Sequence, residues 1–244
     1  MTHSPTTLTS SQATVEVQPV TGLEGSIRVP GSKSLTNRAL ICAALAPGTS
    51  RLSGMLRSED TEVMVDALRQ IGVPIELSAD GREATVQGMA AEGKSLTADI
   101  FVANSGTTIR FLTAMLSALG GRYRLHGIDR MHQRPIDDLL RAINQVGGGA
   151  ISENNNGCPP VMIDSKGWDG GELTVHGGVS SQYLSGVMMA SPLSRKPLKI
   201  VVQGELVSRP YVDMTASVMR ASVSTATKRA MASLPLMLQQ NIRR

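Results

Sequence analysis

Aromatic residues are scarce: two Phe, three Tyr and one Trp among 244 residues. A core of this chain must therefore be built from Leu, Val, Ile, Met and Ala, and stacking platforms for nucleic-acid bases are largely missing. Cysteine is scarcer still. Cys42 and Cys158 stand far apart without CxxC spacing, which excludes a disulfide framework and a zinc ribbon and makes a reducing, cytoplasmic setting the expectation. Long apolar runs are absent too, since "ALICAALA" is far shorter than a membrane span. The formal charge is only +4, and Lys and Arg are scattered with no run of five or six. That balance suits a local anion site and argues against nucleic acid as partner. His126, His132 and His176 lack the spacing of metal ligands, so no metal is expected. The opening "MTHSPTTLTSSQATVEVQPV" has neither an apolar h-region nor an arginine. It reads as a disordered tail over 1–14 that runs into a strand, not as a secretory signal.

What is present is a regular alternation. Helical periodicity marks "TNRALICAALA", "SEDTEVMVDALRQIG", "GTTIRFLTAMLSALG", "RPIDDLLRAINQVG", "SSQYLSGVMMAS" and "PYVDMTASVMRA". Between them lie strand-like runs, "VPIELS", "EATVQG", "RYRLHG", "PVMIDS", "ELTVHG" and "LKIVVQG". Interleaved helices and strands give an α/β class. Helices opened by polar segments (33–46, 104–119, 180–190) alternate with second helices (59–71, 135–146, 211–221). This predicts a threefold repeat, each unit ordered βαββαβ, with three equivalent helix ends converging on one point. "APGTS", "QVGGGA" and "ENNNGCPP" read as loops between elements.

The polar segments carry the chemistry. In "PGSKSLTNRAL", Gly31 permits a tight turn, Lys33 and Arg38 supply positive charge, and Ser34 and Thr36 supply hydroxyls where a helix leaves its first amides unpaired. An anion is well served there. A nucleotide P-loop is excluded, because Ser32 separates Gly31 from Lys33 and no Gly stands five residues before Gly31. "NSGTTIR" repeats the device, with Arg110 one turn into its helix, and "RMHQRPIDD" sets Arg134 before Pro135, in an extended conformation from which it can grip an anion with two parallel bonds. "GGVSSQYLSG" offers Ser180, Ser181 and Gln182, and "LVSRPYVDM" offers Ser208 and Tyr211. Any one of these is explained by helix capping and a solvated charge. Capping accounts for the serines across all five but not for the Arg, Lys, Gln and Tyr beside them. Together they describe a site for a hydroxylated small molecule bearing several negative charges.

"GSKSLTNRALICAALA", "ANSGTTIRFL", "RMHQRPIDDLL", "SSQYLSG" and "VSRPYVDMT", in this order, resemble the 5-enolpyruvylshikimate-3-phosphate synthase family, the 3-phosphoshikimate 1-carboxyvinyltransferases, over about residues 15–222. The resemblance implies a two-lobed, inside-out α/β barrel enzyme, each lobe of three βαββαβ units, that transfers the enolpyruvyl group of phosphoenolpyruvate to the 5-hydroxyl of shikimate 3-phosphate. That is a step of aromatic amino acid biosynthesis and uses no cofactor. By the same resemblance, Lys33, Asn104, Gly106, Thr107, Arg134 and Gln182 are the phosphoenolpyruvate contacts or their organisers, and Lys33 also meets the competing inhibitor glyphosate. Ser34, Arg38, Ser180, Ser181, Gln182, Ser208 and Tyr211 are the shikimate 3-phosphate contacts. Lys33 is the one catalytic residue that this lobe supplies.

The chain also departs from the family. Ala103 stands where a Gly is usual and Phe111 where Pro or Leu is common, both expected beside the phosphoenolpyruvate loop. The acidic residues and lysine of the second lobe, which move protons, have no counterpart here. The expected organisation is a strand or hinge at 15–28 belonging to the absent lobe, a substrate-binding lobe at 29–222, and a divergent tail at 223–244. That tail leaves the third unit without its closing strand and its sheet with an open edge. Two readings follow. The chain works as an enolpyruvyl transferase with a second chain supplying the other lobe, or it is a catalytically incomplete lobe that binds shikimate 3-phosphate.

Overall fold

Three helices with almost no charge form the centre of the molecule. The computed structural model describes residues 16, 19, 22, 24–89, 97–178, 180–222 and 239–241. Helix α3 (Gly106–Leu119) buries eleven of its fourteen residues and α5 (Ser181–Ala190) nine of ten, so both are surrounded by protein on all sides. They touch closely because Gly186 has no side chain; a Cβ there would lie 3.3 Å from the carbonyl oxygen of Arg110. Helix α1 (Lys33–Leu45) packs beside them. The outer helices α2 (Glu59–Gln70), α4 (Asp137–Asn144) and α6 (Arg209–Ser222) bury one face each, as their apolar spacing requires.

Three sheets cover this helical centre, so the helices are inside and the sheets outside. The middle sheet has the order β4-β5-β7-β6, from β4 (Thr97–Phe101), β5 (Gly121–His126), β6 (Ala150–Ser152) and β7 (Val161–Ser165). Strand β4 runs parallel to β5, with α3 as the crossover between them, and β7 runs antiparallel to both β5 and β6. The first sheet, β1-β3-β2, comes from β1 (Thr49–Ser53), β2 (Ile75–Leu77) and β3 (Glu83–Gln87), and is antiparallel throughout. In the third, β8 (Gly171–His176) pairs in parallel with β9 (Leu198–Gln203).

The threefold repeat is present, and its internal order differs from the expected βαββαβ. The complete middle unit reads β4, α3, β5, α4, β6, β7, that is βαβαββ, with one strand between its two helices. Four strands escaped the periodicity. "TSRLS" of β1 has a single apolar residue, β6 is three residues long, "TADIF" of β4 alternates weakly, and β10 lies in the divergent tail.

The third unit corrects another expectation. Its sheet edge is not left open: β10 (Gln239–Asn241) pairs with β9, in parallel, where the middle unit sets an antiparallel strand. A free edge offers a row of unpaired backbone groups, and this short segment takes them up. The open edge lies instead in the first unit, where no strand among the described residues pairs with β1 on the side away from β3. Residues 24–32, just before α1, form no strand, and Ile27 and Val29 are exposed. The expected tail at 1–14, residues 15, 17, 18, 20, 21 and 23 of the expected strand or hinge at 15–28, and residues 223–238 and 242–244 of the divergent tail lie outside the described residues.

Candidate anion site at three helix N-termini

The N-termini of α1, α3 and α5 are joined side by side by polar contacts. Ser32, Ser105 and Ser180 cap the three helices, accepting from the backbone N–H of Leu35, Thr108 and Gln182. Lys33, in the first turn of α1, donates to Oδ2 of Asp60 at 3.0 Å. The other oxygen of Asp60 accepts from the Ser105 hydroxyl at 2.6 Å. On the far side of α3, Thr107 Oγ1 accepts from Nε2 of Gln182 at 3.2 Å. Three positive helix ends thus face one region, where an anion is favoured by the helix dipoles and by free first-turn amides.

Arg134 lies across the start of α3. Its Nη1 donates to the Asn104 carbonyl oxygen at 2.8 Å, and a Cβ at Gly106 would come within 2.2 Å of its Nη2. Gly106 therefore serves by having no side chain, and Asn104 contributes its backbone. Ala103, at the preceding turn, holds φ at +47°, a left-handed conformation that explains why Gly is favoured at this position.

Arg38 lies below the helix ends, inside the protein. It is 2 % exposed, with Nε donating to Thr215 Oγ1 at 2.7 Å, Nη2 to Ser185 Oγ at 3.0 Å and Nη1 to the Ser34 carbonyl oxygen at 3.0 Å. The ring of Phe111 lies 5.2 Å from its guanidinium carbon and that of Tyr211 5.7 Å. Phe111 thus packs on Arg38. Burial lowers the pKa of Arg38, opposed by Tyr211 and Cys42. Ser208, at φ +57°, and Tyr211 stand at the exposed start of α6, and Ser181 is buried behind the α5 cap.

The charge pattern is uneven. Lys33 has a carboxylate partner, yet none of the ion pairs among the described residues includes Arg38, Arg110 or Arg134. Uncompensated guanidinium groups, one of them buried, are costly unless an anion completes them. Sequence reasoning missed Asp60, Ser105, Ser185 and Thr215, which orient the cations. Asp60 sits among Glu59 and Glu62 in the first turn of α2, where acids are expected for the dipole alone.

Residues 17–230 match the family model for EPSP synthase (3-phosphoshikimate 1-carboxyvinyltransferase). The chain belongs to this family. The 3-phosphoshikimate 1-carboxyvinyltransferase of Tolumonas auensis is 43 % identical over 208 residues, covering 85 % of this chain and 49 % of the relative. That of Nitrosomonas europaea is 44 % identical over 196 residues, covering 80 % and 45 %. Among solved structures, an EPSP synthase from Acinetobacter baumannii matches with a TM-score of 0.71 at 29 % identity, over 81 % of this chain and 44 % of that one. The chain spans about half the length of the EPSP synthase relatives it matches. No helix among the described residues is long and apolar enough to cross a membrane.

Proposed function

We propose that residues 29–222 form the shikimate 3-phosphate-binding half of an enolpyruvyl transferase and contribute to the phosphoenolpyruvate site. The observation that carries this reading is the set of arginines without carboxylate partners around three capped helix N-termini. A phosphorylated polyol needs cations for its phosphate and carboxylate and hydroxyls or amides for its ring. Ser34, Arg38, Ser180, Ser181, Gln182, Ser208 and Tyr211 provide them. Lys33, Gly106, Arg134 and Gln182, with Asn104 and Thr107 holding the loop, would meet phosphoenolpyruvate, and glyphosate would compete there through Lys33.

In the proposed reaction, the 5-hydroxyl of shikimate 3-phosphate gives up its proton as its oxygen bonds to C2 of phosphoenolpyruvate, and C3 gains a proton to become a methyl group. Loss of one C3 proton and of inorganic phosphate from the tetrahedral adduct restores the double bond. Lys33 and Arg134 stabilise the anionic groups throughout. Positioned proton transfer, typically worth about a hundredfold to ten-thousandfold, falls to residues of the other half of the relatives. Two free cysteines support a reducing, cytoplasmic setting.

The test is calorimetric titration of the purified chain with shikimate 3-phosphate and then with phosphoenolpyruvate, alongside phosphate release when both are present. Loss of shikimate 3-phosphate binding in Arg38→Met and of phosphoenolpyruvate binding in Lys33→Met and Arg134→Ala, without phosphate release by the parent chain, is the expected result. Unchanged binding in all three variants would overturn the site. Lys33-dependent phosphate release by the chain alone would instead make it a complete enzyme.

A further inference from the structure

Arg110 stands in the polar segment that opens α3, yet belongs to neither set of ligand contacts. Its guanidinium is held from three directions. Nη1 donates to Oε1 of Gln182 at 2.5 Å, Nη2 reaches the Pro135 carbonyl oxygen at 3.4 Å, and the guanidinium carbon lies 5.4 Å from the centre of the Tyr183 ring. The Tyr183 hydroxyl donates to the same Pro135 oxygen at 2.7 Å, tying α5 to the residue that follows Arg134. Arg110 is half-buried, and burial lowers its pKa, with Tyr183 opposing and the neighbouring Arg134 reinforcing the shift.

The consequence lies at Gln182. A carboxamide has one accepting and one donating end, whereas a guanidinium only donates. Turning the Gln182 amide over would set its NH2 group against the N–H groups of Arg110, two donors with nothing to accept. A charge-assisted bond to Oε1 therefore fixes the flip, and Nε2 is left as the donating end, bonded to Thr107 Oγ1 at 3.2 Å.

We propose that Arg110 is a positioning residue for the anion site: it locks the Gln182 carboxamide with its N–H groups toward Thr107 and the ligand, making Gln182 an obligate donor. This rests on Gln182 touching substrate as proposed above. It also gives Arg110 a role that its charge alone does not fill, because a lysine would keep the charge and lose the planar fork that spans Gln182 and Pro135.

Two readouts test it on the full chain. In the ligand-free protein, side-chain amide NMR signals of Gln182 should be shifted and slowly exchanging, and should collapse toward those of a free glutamine in Arg110→Met. Arg110→Gln serves as the second variant if the methionine protein does not fold. In calorimetry with shikimate 3-phosphate, Arg110→Met and Gln182→Ala should each weaken binding about tenfold, and the double variant little more than either alone, the mark of two groups acting as one. Arg110→Lys should recover less than half of the loss on a logarithmic scale. Unchanged Gln182 signals in both Arg110→Met and Arg110→Gln overturn the proposal, as do fold-losses that multiply in the double variant or complete rescue by lysine. Collapsed signals in a chain whose unaltered form binds no shikimate 3-phosphate uphold the lock and sink the ligand assignment instead.

Discussion

A Cβ added at Gly106 meets the end of a long side chain and not the backbone, so the clash is relieved by moving Arg134. Gly106→Ala should therefore fold normally, with thermal stability changed by less than about 1 kcal/mol, since a helical residue favours Ala over Gly even in the first turn. Its cost falls on the ligand. Displacing a charge-assisted donor is worth about 1.5–3 kcal/mol, so calorimetry should find affinity for a phosphoenolpyruvate-like anion lowered about tenfold or more. Arg38 presents the opposite balance. It gains three hydrogen bonds but pays for desolvating a cation that no carboxylate compensates, and its hydroxyl partners Thr215 and Ser185 also bond to each other at 2.9 Å. Arg38→Met should thus leave stability within about 1 kcal/mol of the parent, or raise it, while shikimate 3-phosphate binding is lost. A fall in melting temperature beyond about 10 °C, several kcal/mol for a chain of this size, would make Arg38 a structural residue first.

The start of α3 combines a strained turn with a cap. Ser105 accepts from the Thr108 N–H at 3.3 Å and donates to Asp60 at 2.6 Å, so Ser105→Ala removes both the cap and the contact that ties α3 to α2 and, through Lys33, to α1. Denaturant unfolding should find a loss of about 1–2 kcal/mol. One turn earlier, Ala103→Gly relieves the left-handed backbone and should return about 1 kcal/mol. The six helices and the strands β2, β3, β5, β7, β8 and β9 were legible because burial on one or both faces writes a period into the chain. β1 was not, since an edge strand of mostly polar residues has no such period. The same division holds at the site. Residues that open helices stand out against Gly and Pro punctuation, as Lys33, Arg134 and Gln182 do. Ser185 and Thr215 lie in mid-helix, where a hydroxyl bonded to its own helix and one aimed at a distant guanidinium look alike in sequence.

At the scale of the whole molecule, the chain's own repeats show where the first sheet differs from the other two among the described residues. β5 is flanked by β4 and β7, and β9 by β8 and β10, whereas β1 is flanked by β3 alone among the described residues. Beside its open edge runs a groove of about 560 Å³ whose walls include Leu35, Ala39, Ala43 and Val218, between α1, β1 and the end of α6. In β1, alternate residues turn their N–H groups toward β3 and toward this open side, so protection should alternate along the strand. Hydrogen exchange followed by NMR should find every second amide of Thr49–Ser53 exchanging orders of magnitude faster than its neighbours, while the interior amides of Gly121–His126, bonded on both sides, exchange only on wider opening. Protection of every amide in β1 would mean that another segment covers the edge in solution. Alternating protection that becomes uniform when the half of the EPSP synthase relatives that this chain does not cover is added as a separate polypeptide would identify that half as the source of a covering strand, and would connect the completed sheet to phosphate release in the same sample.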